Sequence, residues 1–158
     1  MFIMGALLFS ETNKKNTETI LCSYTSGKVE LIEKEVSSIS NLDINSTLPK
    51  NSLLCTGEKS LCELRINNSI LVRSGSESII DSINQSSINV LSGSFLISVQ
   101  DEIDFSIQSK SSLLKTRGKY TAIIDCTSNG GFKFIPLEGK GQIIPERGDS
   151  KDIYRGRL

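Results

Sequence analysis

The sequence predicts an all-β chain of many short strands, built as one solenoid-like or sandwich-like domain. Apolar residues come in short runs, roughly four to eight long, cut by Gly, Ser and Asn, and they almost nowhere recur at spacings of three and four. With 37% apolar and 23% charged residues and only 3 Pro, the composition is that of a globular protein and not of a disordered one. Its 158 residues fit a single hydrophobic core, so one architecture has to account for all of them.

Taken in order, the runs place strands at 19–24, 28–33, 52–56, 61–66, 70–73, 78–81, 87–91, 94–100, 103–108, 112–116, 119–126, 131–135 and 139–144. The polar stretch 37–50 reads as a loop or a weak edge strand. Between the fourth and fifth runs, a three-residue loop Asn67-Asn68-Ser69 sets Ile66 against Ile70 and Leu64 against Val72, whereas a two-residue loop would split the apolar set. From Tyr120 onward, Tyr120, Ala122, Ile124 and Cys126 share one face, which is the face to bury. Asn129-Gly130-Gly131 then turns the chain toward Phe132 and Phe134. The domain therefore spans 18–144, with a polar C-terminal tail at 145–158 that is expected to fray.

Charge and composition exclude several functions. Eighteen basic and 18 acidic side chains cancel, leaving no global field to draw the chain onto nucleic acid. Without a single His, the commonest general base and the commonest neutral metal ligand are missing. The Ser-Lys combinations near 56–59 and 111–115 are turn and strand residues, not a nucleophile beside its base, so no catalytic residues are assigned. Asp101, Glu102 and Asp104 lack the glycine and alternating ligands of a calcium loop and read as a charged turn, so neither a metal nor a cofactor is expected.

Four cysteines, Cys22, Cys55, Cys62 and Cys126, contain no C-x-x-C pair. If residues 57–60 form a hairpin loop, Cys55 faces Cys62 across it, close enough for a disulfide. The alternative is four small buried thiols. Lys115, Arg117 and Lys119, the heart of the densest basic stretch, fall on one face if their strand runs through Gly118. They read either as a binding surface for an acidic partner or as a solvated strand that discourages aggregation. The apolar start at 2–9 is far shorter than the roughly 20 residues a membrane-crossing helix needs, so no membrane span is expected. Residues 1–17 read as a signal-peptide remnant or a frayed N-terminus.

Three blocks together resemble the FecR domain, the periplasmic part of iron-citrate-type transmembrane regulators, which also occurs alone in exported bacterial proteins. The first is LPKNSLLCTGEKSLCELRINNSILVR at 48–73, with Thr56-Gly57, Glu63-Leu64 and Asn67-Asn68-Ser69 at the matching places. The second is INVLSGSFLISVQDEIDFSI at 88–107, where Leu91, Gly93 and Phe105 match the family's strand pair and the strand after it. The third is Arg117-Gly118-Lys119, followed by a strand and then Leu137-Glu138-Gly139; the family has Arg-Gly-Thr where this chain has Arg-Gly-Lys. The resemblance covers about residues 25–144 and carries no catalytic residues. It implies an extracytoplasmic, periplasmic β-module that works through contacts with another envelope protein. Gly57, Gly93, Gly118 and Gly139 are its structural turns, joined on local grounds by Asn67, Asn68 and Gly130. The competing reading is a structural or adhesion-type β-solenoid segment that self-associates through an exposed strand edge.

Overall fold

The computed structural model describes residues 19–49 and 51–155. The N-terminal expectations for 1–17 lie outside those residues. Within them the chain is all-β, with fourteen strands: β1 (Ile20–Ser26), β2 (Val29–Glu33), β3 (Ser38–Asn41), β4 (Ser52–Thr56), β5 (Leu61–Ile66), β6 (Ile70–Ser74), β7 (Ile79–Ile83), β8 (Ser87–Val99), β9 (Asp104–Gln108), β10 (Ser112–Arg117), β11 (Tyr120–Cys126), β12 (Phe132–Glu138), β13 (Lys140–Pro145) and β14 (Lys151–Tyr154). Among the described residues no helix is long and apolar enough to cross a membrane.

All fourteen strands belong to one open, mixed sheet, because the 13-residue β8 is shared by two halves. One half runs β1-β5-β6-β8-β11-β12 and is antiparallel throughout. The other runs β3-β2-β4-β7-β8-β9-β10-β13-β14, and its one parallel pair is β8 with β9. Alternation on both halves points one set of side chains at a common core. Leu64, Val72, Phe95, Ile97, Tyr120 and Ile124 come from the first half, and Leu31, Leu54, Ile80, Val90, Phe105 and Leu114 from the second; all belong to a single buried cluster. The halves are therefore two facing layers. That answers the choice between sandwich and solenoid in favour of the sandwich, since a solenoid would stack its strands in parallel.

The layers approach closely at Gly141 on β13. A Cβ there would sit 2.8 Å from Leu114 Cδ1 on the adjacent strand and 3.2 Å from the ring of Phe134 in the opposite layer. No larger residue fits without moving one of them.

The chain passes between layers seven times, and six of the passages carry a glycine: Gly27, Gly57, Gly75, Gly93, Gly118 and Gly139. Neighbouring passages pack on one another. Gly57 N–H donates to Lys28 O at 2.9 Å, and Gly75 N–H to Ser94 O at 2.8 Å. Thr56 Oγ1 donates to Gly75 O at 2.5 Å and accepts from Ser78 N–H at 2.9 Å. At Gly93 the passage happens inside a strand. With φ at +113° the backbone of β8 bends from one layer to the other, and the place a Cβ would take is filled by Ser78, whose Cα lies 2.5 Å from it. The expected strands at 87–91 and 94–100 are thus one bent strand.

Two further differences from the sequence reading concern the margins. Residues 38–41 do form an edge strand, β3, with all four residues exposed. The C-terminal tail does not simply fray: β14 pairs with β13 from Lys140↔Tyr154 to Ile143↔Lys151, and Ile153 packs against the core. Across the β5–β6 turn the register is the expected one, with Ile66 against Ile70 and Leu64 against Val72, and on β11 Tyr120, Ala122, Ile124 and Cys126 are all buried.

Candidate binding surfaces

Lys115 and Arg117 stand two apart on β10 and so face outward together, while Leu114 and Thr116, which alternate with them, are buried. On β13, Gln142 lies opposite Lys115, and the same register carries Lys140 to Arg117. On β14, Asp152 lies opposite Gln142 and Tyr154 opposite Lys140. These side chains line a depression of about 270 Å³ on the outer face of the layer. Three cations, one carboxylate, one aromatic ring and one amide thus converge on a shallow site beside β14, the last strand of its layer.

Like charges set close across neighbouring strands repel. The carboxylates nearby offset this only in part. Arg117 meets Asp104 at 3.9 Å with both side chains largely exposed, and Asp152 already accepts a hydrogen bond from Gln142 Nε2 at 3.2 Å. Among the described residues that is the one ion pair at this site, and it leaves Lys115 and Lys140 without a carboxylate partner. The surface is suited to an anionic group.

Lys119, grouped with Lys115 and Arg117 on sequence grounds, is not part of the depression. The chain leaves the layer at Gly118, where φ is +76°, and Lys119 lies in the passage, its carbonyl close against Gly139. Lys140 takes its place. Alternation relates residues within a strand, and only the β10–β13 pairing, which spans 25 residues of sequence between Lys115 and Lys140, reveals the substitution.

The outer face of the other layer is organised around Glu63. Its carboxylate is nearly buried although it points away from the core: Arg73 donates to Oε2 at 2.7 Å through Nη2 and at 3.3 Å through Nε, and Ser23 Oγ donates to Oε1 at 2.8 Å. Arg65 stands 3.7 Å from Oε1. The hydrogen bond from Arg73 leads the effects that hold the carboxyl below its ordinary range, against the burial that would raise it. Beyond Arg73 the same cross-strand row continues through Leu96, Ile123 and Ile135.

The cysteine pairing expected from a 57–60 hairpin is not formed. β4 pairs with β2 and β7, β5 pairs with β1 and β6, and the 57–60 segment is a passage between layers. Cys55 faces outward in one layer and Cys62 inward in the other, and all four cysteines are free thiols. The acidic residues at 101–104 are likewise dispersed. Asp101 accepts a hydrogen bond from Ser69 Oγ, the Glu102 carboxylate lies against Gly118, and Asp104 faces Arg117. Of the turn residues singled out in the sequence, Asn67, Gly93, Gly118, Gly130 and Gly139 have positive φ, whereas Asn68 and Gly57 do not; Gly57 is instead a close approach, where an added Cβ would sit 3.3 Å from Lys28 Cβ.

Comparison with known proteins finds no family model, no curated protein and no solved structure that matches this chain.

Proposed function

We propose that the chain is a non-enzymatic binding or signal-relay module of the FecR type, working outside the cytoplasm, and that its partner is another envelope protein presenting an acidic, extended segment. The observation that carries this reading is the set of Lys115, Arg117 and Lys140 around one depression, with too few carboxylates to neutralise them, beside the open edge of β14. An extended segment added to β14 gains main-chain hydrogen bonds, and its acidic side chains lie over the cations. Tyr154, 43% exposed, supplies an apolar wall for the aliphatic parts of that segment.

The test uses a fluorescein-labelled peptide of alternating Glu and Thr, with anisotropy as the readout. The wild type should bind it, more weakly as salt rises, and the Lys115→Glu/Arg117→Glu/Lys140→Glu variant should bind about tenfold more weakly or worse. Reversing Lys28 and Lys34 on the far side of the same layer should change little. Equal losses in both variants would reduce the effect to net charge and reject the site.

A second reading, self-association, is favoured by β3, an edge strand without Lys or Pro whose Ile39 is 66% exposed beside a 67% exposed Val36. Sedimentation over a wide concentration range decides it: an Ile39→Lys-sensitive dimer supports this second reading, and a monomer throughout removes it.

A further inference from the structure

We propose that Cys22 and Cys62 become joined by a disulfide that cross-links β1 to β5. Cys22 lies on β1 opposite Leu64, and Cys62 is the next inward residue along β5, opposite Thr25. Between them β1 bulges, so that Ser23 and Tyr24 together stand against Glu63. A bulge breaks the regular diagonal spacing of a ladder, and here Cys22 and Cys62 are diagonal inward neighbours across the β1–β5 pair, near enough that each thiol affects the acidity of the other. Both residues are 0% exposed. The other two cysteines are far from this arrangement: Cys55 faces outward on β4, and the Cys126 thiol points to Leu91 O at 3.6 Å.

Burial pushes both thiols up, strongly at Cys62, which leaves little thiolate for exchange once the core has closed. The bond therefore forms during folding, before β1 docks. The oxidant is a disulfide-bearing compound, RSSR. Each cysteine thiol gives up its hydrogen, one sulfur–sulfur bond forms between Cys22 and Cys62, that of RSSR breaks, and two RSH leave. This inference does not depend on the basic depression and can stand or fall without it.

Refolding in oxidised and reduced glutathione, alkylation in denaturant and non-reducing tryptic digestion provide the test. Cleavage after Lys15, Lys28, Lys50, Lys59 and Arg65 puts Cys22 in the peptide 16–28, Cys62 in 60–65 and Cys55 in 51–59. The expected product is 16–28 linked to 60–65, separable by reduction, with Cys55 and Cys126 alkylated. The Cys55→Ser/Cys126→Ser variant should keep the link, and its melting temperature should fall by about 5–15 °C on reduction. The Cys22→Ala variant should melt at the same temperature with and without reductant. Alkylation of both Cys22 and Cys62, or a link from Cys62 to Cys55, overturns the proposal.

Discussion

Glu63 faces away from the core, yet Arg73, Arg65 and Ser23 close over it, and this fixes the sign of its pH dependence. Because the carboxyl is held below its ordinary value of 4.5, the folded state binds the proton less well than the unfolded chain does. The stabilisation is complete above about pH 5 and drains away as the pH falls through and below 4.5. Glu63→Gln should therefore cost about 1–2 kcal/mol at pH 7, a figure kept modest because Arg73 is half exposed, and the gap to the wild type should narrow by about pH 3. Urea midpoints at the two pH values check it, and a gap that stays constant with pH would assign the effect to shape instead. At this scale the sequence was only partly legible. It pointed to Lys115 and Arg117 but not to Lys140, and it said nothing of Arg73 closing over Glu63, since both partnerships belong to strand neighbours and not to local pattern.

Among the elements, the passages between layers explain both a success and an error of the sequence reading. Glycines at 57, 93, 118 and 139 were recognisable as structural because few other residues tolerate such backbone geometry or such close approach. What they build was not recognisable. A short polar segment such as 57–60 looks the same whether it returns the chain to a neighbouring strand or carries it across the core, and the false Cys55–Cys62 pairing followed from assuming the first. β14 was missed for a related reason: an edge strand needs few inward residues, and Ile153 alone gives no alternation to detect. The passage inside β8 supplies a sharp test. Gly93→Ala places a methyl group within 2.5 Å of Ser78 Cα and forces an alanine to φ +113°, so it should cost about 3 kcal/mol or more in chemical denaturation. Gly131→Ala, whose new methyl would meet mainly the Thr127 hydroxyl in an exposed turn, should cost clearly less. Equal losses would refute the claim that Gly93 is a special position.

For the molecule as a whole, β8 is the decisive element. It runs through the middle of both layers, pairing with β7 and β9 in one and with β6 and β11 in the other. Neither layer can lose it and keep its order, so the two should unfold together. Urea transitions followed by tyrosine fluorescence and by far-ultraviolet circular dichroism are expected to coincide, and separated midpoints would show that the layers are independent. Refolding should take milliseconds to seconds, because partners such as β1 and β5 are separated by whole strands of intervening chain. The all-β class and most strand positions were legible from the rhythm of apolar runs. The sharing of β8 was not, since Ser92-Gly93 carries the same local signal as a turn.

The positions of β1 and β14 have a mechanical consequence. They are the first and last strands of the described chain, and each lies at the margin of its layer, β1 with the loop residues 45–48 bonded along its outer side. Tension applied to the two ends reaches these marginal strands first and can peel them away a few hydrogen bonds at a time. β8, flanked on both sides, bears load last. A domain tethered by its ends would thus give way gradually at its borders, spending extension there while its centre holds.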